Sequence, residues 1–147
     1  MSSNKLEGSF VALITPMNAD GSIDFEGFRT LIQFHEENGT SAVLIMGSTG
    51  EVSMLSMEER HRIVHETMKM RTGKMFFYYG CTGATTEATI DYVAQAASEG
   101  VDGAIIAAPA YICASNAQIV QFCLDVADSS VIPLGFYNNP PRVGTDL

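Results

Sequence analysis

Two hydroxyl side chains lie in a short turn, Gly47-Ser48-Thr49-Gly50-Glu51, that directly follows the apolar segment at residues 42–46. Ligands of parallel α/β proteins bind beyond the carboxyl ends of the strands, so this turn is a candidate binding site. Its backbone N–H groups and the N-terminus of the following helix favour a carboxylate or a phosphate. A Walker-type phosphate loop is excluded because no lysine follows Gly50. The alternative is that Ser48 and Thr49 only form the turn and cap the next helix.

Further polar side chains follow two later apolar segments. Tyr111 comes after the segment at 103–107, while Tyr137 ends the segment at 132–137 and Arg142 follows it. A guanidinium just past the stiff turn Pro140-Pro141 suits two-pronged recognition of a carboxylate. Taken alone, a tyrosine at the position of Tyr111 is more often a packing residue than a catalytic one, and Arg142 is also compatible with a surface ion pair. Three such signals on successive carboxyl-end loops favour a binding or catalytic site.

The elements that must position these side chains alternate regularly along the chain. Four helical patterns separate the apolar segments at intervals of roughly 30 residues, the length of one βα unit. The second and fourth helices are predicted to begin at capping boxes, Ser56 with Glu59 and Ser115 with Gln118. The five apolar segments predict strands at residues 10–14, 42–46, 75–79, 103–107 and 132–137.

These segments are nearly continuous in apolar residues, which is typical of parallel strands that are buried on both faces. The sequence therefore predicts a right-handed parallel α/β domain. A closed (β/α)8 barrel needs about 250 residues, so the chain is either an open sheet or the first part of a barrel.

Composition narrows the class of protein. With 147 residues, 46% hydrophobic and 17% charged, the chain suits one packed domain. A net charge of −9 argues against nucleic-acid binding, and the lack of a long early apolar stretch predicts a cytoplasmic protein without a membrane segment. The cysteines Cys81, Cys113 and Cys123 are predicted to be reduced and mostly buried.

No cofactor or metal is expected from the motifs. His61 and His65 have helical spacing but lack an H-E-x-x-H pattern and a third ligand. No G-x-G-x-x-G fingerprint follows a strand. The turn at residues 80–83, Gly-Cys-Thr-Gly, is interpreted as structural.

On these motifs the chain resembles the dihydrodipicolinate synthase / N-acetylneuraminate lyase family. The resemblance implies an α/β fold, namely the N-terminal part of a (β/α)8 TIM barrel with about five strands and four helices. Residues 1–147 would then be a single domain that is incomplete at its C-terminus. The motifs that carry it are the run Val11-Ala12-Leu13-Ile14-Thr15-Pro16-Met17, the turn from Gly47 to Glu51, Tyr111 after Pro109, and Tyr137-Asn138 with Pro140 and Arg142.

The family resemblance also implies a chemistry: carbon–carbon bond formation or cleavage through a Schiff base between a lysine and pyruvate or another 2-oxo acid. Ser48 and Thr49 match the pair that holds the pyruvate carboxylate, and Ser48, Tyr111 and Tyr137 match a hydroxyl relay for protons. A chain of hydroxyls can pass protons because each group both donates and accepts. Arg142 matches the residue that binds the carboxylate of a second substrate, an acidic aldehyde or a sugar acid.

The same resemblance implies how the protein assembles. We expect a homo-oligomer, a tetramer, in which Tyr111 reaches the active site of a neighbouring subunit. The chain departs from the family pattern at Ala110, where the synthases often have another aromatic residue beside this tyrosine.

The Schiff-base lysine of the family lies on the sixth strand, whereas this chain ends before one begins. Lys5, Lys69 and Lys74 fall in the N-terminal tail, on a helix and at the start of a strand, so none can replace it. The chain alone is therefore expected to be inactive, and a missing C-terminal half-barrel is its expected partner. The alternative is a non-catalytic β/α module that binds a small carboxylate or assembles with a partner.

Overall fold

The computed structural model describes residues 7–147, and the chain divides into two compact units. The first unit ends at Tyr79 and the second begins at Gly80. Lys5 lies outside the described residues. Of the helices in residues 7–147, none combines the length and the apolarity needed to cross a bilayer.

The first unit is built on parallel strand pairing. Strand β2 (Ala42–Ile45) pairs with β1 (Phe10–Ala12) and with β3 (Phe76–Gly80), both in the parallel direction. Val43 of β2 lies opposite Phe77 of β3, and both side chains are fully buried. The predicted parallel pairing is confirmed for these three strands.

Helices α1 (Phe25–Glu37) and α2 (Met57–Met70) belong to the same unit. The carboxylate of Asp24 caps α1 by accepting a backbone hydrogen bond from its first turn. The predicted capping box at α2 is confirmed: the Ser56 hydroxyl accepts from the Glu59 N–H, and the Glu59 carboxylate accepts from the Ser56 N–H. These caps set where each helix begins relative to the strand before it.

The prediction that every strand is buried on both faces is wrong for β1. The strand ends at Ala12 instead of residue 14, and the side chains of Phe10 and Ile14 are 44% and 55% exposed. Phe10 and Ala12 alternate along the strand and therefore share one face, which is exposed in the described residues. By contrast, β2 and the middle of β3 are buried as predicted.

The second unit contains a parallel pair, β4 (Gly103–Ile106) and β5 (Leu134–Phe136), together with three helices. Strand β5 is only partly buried, a second departure from the predicted burial. The helices are α3 (Thr86–Ser98), α4 (Asn116–Ser129) and α5 (Pro140–Val143). The predicted Ser115–Gln118 capping box at α4 is present.

The stiff turn predicted at Pro140-Pro141 is instead the beginning of helix α5. The two prolines occupy the first positions of a four-residue helix, where their missing N–H groups cost no hydrogen bond. Val143 buries its side chain in a small apolar cluster with Ala108 and Ile119. That packing ties the short helix to the body of the second unit.

The cysteine prediction holds only in part. Cys81 is buried and Cys123 is partly buried, but Cys113 is exposed. Burial raises the pKa of the Cys123 thiol above its usual value. Cys113 lies on the loop after β4, where its backbone adopts a positive φ of 50°, and this loop position keeps the thiol out of the apolar cluster.

Glu36 links the end of α1 to the loop before β3. Its carboxylate accepts hydrogen bonds from the Thr72 hydroxyl at 2.5 Å, the Thr72 N–H at 3.2 Å and the Gly73 N–H at 2.9 Å. Burial acts to raise the pKa of Glu36, but these hydrogen bonds and the nearby charge of Arg71 outweigh it, so the pKa is lowered. The ionised form of Glu36 therefore stabilises the first unit.

Glu36→Gln is expected to lower the free energy of unfolding by about 0.5–1 kcal/mol at pH 7, since the site is partly exposed. A lowered folded-state pKa contributes stability above the unfolded value, and this contribution is lost as pH falls through the folded value. The difference between wild type and variant should therefore shrink towards about pH 3 in urea denaturation. Glu37→Gln is the matched control, because the Glu37 carboxylate accepts only an exposed hydrogen bond from Gln33, which a glutamine oxygen can also accept. A difference that is equal at both pH values would contradict this role.

Candidate functional site

The turn after β2 presents two free hydroxyl groups. Ser48–Gly50 forms one turn of 3-10 helix, closed by hydrogen bonds from the Gly50 N–H to the Gly47 carbonyl and from the Glu51 N–H to the Ser48 carbonyl. The side chains of Ser48 and Thr49 are exposed, and within residues 7–147 neither hydroxyl has a hydrogen-bond partner. Two adjacent unpaired donors on a closed turn are suited to binding a carboxylate.

Thr15 supports this turn and Arg60 supports the segment directly after it, and neither residue has a role in the sequence prediction. Thr15, which is buried, donates from Oγ1 to the Gly50 carbonyl at 2.6 Å. Arg60 on α2 donates from Nη2 to the Val52 carbonyl at 2.8 Å and from Nε to the Leu55 carbonyl at 3.3 Å. Thr15 could have been found from the sequence, because its hydroxyl directly follows a predicted strand. The Arg60 contacts have no comparable sequence signature.

In the second unit, Tyr111 stands on the loop after β4. Its side chain is 98% exposed, and its backbone has a φ of 76°, a conformation that non-glycine residues rarely adopt. The Tyr111 ring is therefore not packed against the described residues. An exposed ring on a strained backbone is instead typical of residues that serve a ligand or a partner.

Tyr137 follows β5 directly. Its N–H donates to the Ile106 carbonyl of β4 at 2.7 Å, and its hydroxyl accepts from Asn139 Nδ2 at 3.0 Å. The side chain is 53% exposed. The backbone bond places the residue, while the hydroxyl keeps its own proton available for donation to a third group.

Arg142 lies in the last turn of α5 and is exposed. Its backbone N–H bonds the Asn139 carbonyl at 2.9 Å. Within residues 7–147 its guanidinium has neither a hydrogen bond nor an ion pair, so the surface ion pair considered for it is not formed there. The side chain is available to bind an anion.

The structure brings together the two loops of the second unit that carry these side chains. Thr145 Oγ1 donates to the Ala114 carbonyl at 2.7 Å, and Asn116 Nδ2 donates to the Asp146 carbonyl at 2.8 Å. A Cβ at Gly144 would lie 2.7 Å from the Cys113 sulfur, so the two segments are in close contact. The Tyr111 loop and the Arg142 helix are thus joined in one local assembly.

The other residues singled out in the sequence lie outside the candidate site. Thr82, in the Gly-Cys-Thr-Gly turn, accepts a hydrogen bond at Oγ1 from the Ala107 N–H at 2.9 Å, which supports the structural interpretation. Lys69 is exposed on α2 and pairs with Glu66 at 3.1 Å, and Lys74 is exposed in the loop before β3. In the described part of the chain no group of three His, Cys, Asp or Glu side chains could hold a metal ion.

Comparison with known proteins connects these features to one family. The profile described as "Dihydrodipicolinate synthetase family" matches residues 5–147. A relative named 4-hydroxy-tetrahydrodipicolinate synthase, from Alcanivorax borkumensis, is 35% identical over 142 residues, which are 97% of this chain and 48% of the relative. The chain spans about half the length of the relatives it matches.

Solved structures show the same similarity in three dimensions. Dihydrodipicolinate synthase from Acinetobacter baumannii, complexed with pyruvate, superposes with a TM-score of 0.92 at 33% identity, covering 96% of this chain and 48% of that one. A prophage protein of the dihydrodipicolinic acid synthase family from E. coli K12, also in complex with pyruvate, gives a TM-score of 0.90 at 30% identity, covering 97% and 48%. The prediction of an N-terminal part of a (β/α)8 barrel is confirmed.

Proposed function

Because the chain belongs to the dihydrodipicolinate synthetase family, we propose that it is part of a pyruvate- or 2-oxo-acid-dependent lyase or synthase. The reaction is carbon–carbon bond formation or cleavage through a lysine Schiff base. The lysine comes from a C-terminal half-barrel, supplied by a second polypeptide or by a segment absent from this sequence. The complete enzyme is a homo-oligomer.

The observation that carries this proposal is the free hydroxyl pair of Ser48 and Thr49 on the closed turn after β2. Pyruvate offers a carboxylate next to its reactive carbonyl, and two adjacent hydroxyl donors can hold that carboxylate while leaving the carbonyl accessible. Two solved family members are complexes with pyruvate, which supports the choice of ligand.

The remaining site residues take the roles implied by the family. Ser48, Tyr111 and Tyr137 relay protons while the amine adds to the pyruvate carbonyl and water leaves. The Tyr137 hydroxyl accepts a hydrogen bond from Asn139, so its own proton can be donated onward. Arg142 binds the carboxylate of the second substrate, an acidic aldehyde or a sugar acid, with a guanidinium that has no partner in residues 7–147.

One observation favours a second candidate function. The lysines in the described residues, Lys69 and Lys74, are both exposed, and Lys69 pairs with Glu66. An amine activates pyruvate only when it is desolvated and neutral. A chain that works without a partner would therefore be a carboxylate-binding module instead of a catalyst.

Borohydride trapping with labelled pyruvate separates the two functions. The isolated chain should not be labelled, whereas a mixture with a C-terminal half-barrel that contains the lysine should be labelled on that added half. Variants of the added half that lack the lysine provide the control. Absence of label in a folded, lysine-containing mixture would exclude the Schiff-base proposal and leave the binding module.

A further inference from the structure

We propose that Thr15 is a positioning residue, which holds the Ser48–Thr49 turn in the geometry that binds a carboxylate. The inference rests on the proposed function in one respect, namely that the turn receives pyruvate. Thr15 itself is buried and does not contact the ligand in this role. It acts through the backbone of Gly50.

The geometry of the contact assigns the donor. Thr15 lies just beyond β1, where the Leu13 N–H still donates to the Leu44 carbonyl of β2 at 2.9 Å. From this anchored position Thr15 Oγ1 lies 2.6 Å from the Gly50 carbonyl oxygen, across a separation of 35 residues. A carbonyl can only accept, so the hydroxyl of Thr15 is the donor. The bond therefore ties the end of β1 to the end of the turn.

The turn needs such a tie because its own backbone is strained at both ends. Met46 and Glu51 have φ values of 60° and 54°, in the left-handed region that side chains disfavour. Two local hydrogen bonds close the turn, and both join residues only three apart. Local bonds of that kind do not fix where the turn lies relative to the neighbouring strand. The bond from Thr15 supplies that long-range constraint.

Gly50 gives independent evidence that the contact is close and specific. A Cβ at Gly50 would lie 3.1 Å from Thr15 Oγ1 and 3.2 Å from the Leu13 carbonyl oxygen. Its φ is not positive, so a side chain here is disfavoured by the tight space and not by backbone conformation. The absence of a side chain at Gly50 permits the approach of the turn to the end of β1.

Thr15→Val removes the hydroxyl while keeping the shape of the side chain, and leaves the buried Gly50 carbonyl without its donor. We expect the dissociation constant for pyruvate to rise about 5- to 30-fold, in the lower part of the range for losing a partner of a buried polar group. The measurement is an NMR titration with pyruvate of the chain completed by its C-terminal half-barrel, following the Ser48 and Thr49 amide signals. Thr15→Ser keeps the donor and should restore affinity to within about twofold.

Thr67→Val is the matched control in the same unit. Thr67 is also buried, and its hydroxyl bonds the Ile63 carbonyl and the Tyr79 hydroxyl, away from the turn. Thr67→Val should lower the melting temperature and leave pyruvate affinity unchanged. An equal loss of affinity in Thr67→Val and Thr15→Val would overturn the positioning role, since both would then act through general stability.

Amide hydrogen exchange without ligand tests the positioning role independently of pyruvate. Thr15→Val should speed exchange at Gly50 and Glu51 about tenfold relative to amides of α1, because the turn opens more often. Unchanged exchange there would overturn the proposal even if the wild type binds pyruvate. Conversely, a completed wild-type enzyme with no pyruvate response at Ser48 or Thr49 would overturn the proposed function, while the exchange data still decide the role of Thr15.

Discussion

Tyr137→Phe is expected to lower kcat by about 10²–10⁴-fold in the enzyme completed by its C-terminal half-barrel, the range for losing a general acid–base group. KM for pyruvate should change little, because the phenyl ring keeps its packing and the carboxylate is held elsewhere. The fold should also be retained, since Tyr137 is placed by its backbone bond to Ile106 at 2.7 Å. Steady-state kinetics with pyruvate varied measures both constants.

Asn139→Ala is the companion variant for Tyr137. It removes the Nδ2 group that donates to the Tyr137 hydroxyl at 3.0 Å but keeps the hydroxyl itself. Its loss in kcat should therefore be much smaller than that of Tyr137→Phe. If Tyr137→Phe left kcat unchanged, Tyr137 would contribute packing alone.

Arg142→Lys is expected to lower kcat/KM for the second substrate by roughly one to two decades, the cost of losing a charge-assisted two-pronged hydrogen bond. Lysine keeps the positive charge but not the planar pair of donors, so the substitution separates geometry from charge. Trapping of pyruvate by borohydride should remain near the wild-type level. The test varies each substrate in turn on the completed enzyme.

Arg29→Lys offers a matched control, because Arg29 is an exposed arginine of α1 that pairs only weakly with Glu26 at 3.5 Å. It should affect neither substrate. Equal losses for both substrates in Arg142→Lys would assign Arg142 to the fold or to the pyruvate pocket. No loss at all would make it an ordinary surface residue.

Features that depend on neighbouring residues were predictable from the chain. The capping boxes at Ser56 and Ser115 formed as expected, since each is a contact between residues three apart. The strand positions were predicted to within a few residues because each strand lies in a short, nearly continuous apolar segment of the sequence. The turn at Ser48 and Thr49 followed from its glycines and from its place after β2.

The sequence-based predictions were wrong where the environment of a residue depends on segments that are distant in the chain. Phe10 and Ile14 are exposed although both are apolar, because burial depends on what covers a face of the strand, and an apolar pattern does not reveal that. Cysteine is a residue type that is usually buried, but Cys113 lies on a loop and is exposed. Helix α5 replaced a predicted turn because the packing of Val143 stabilises a helix too short to persist alone.

The chain alone was sufficient to identify the family and the order of its elements, because motifs and periodicity are local properties, and it suggested which side chains to propose for carboxylate and proton chemistry. Only the three-dimensional structure shows that the Ser48 and Thr49 hydroxyls and the Arg142 guanidinium have no hydrogen-bond or ion-pair partners in residues 7–147. It was also needed to reveal the bond from Thr15 to Gly50, across 35 residues. Such contacts depend on the pairing of separate strands, and the physical reason they escape sequence reasoning is that no local spacing encodes them.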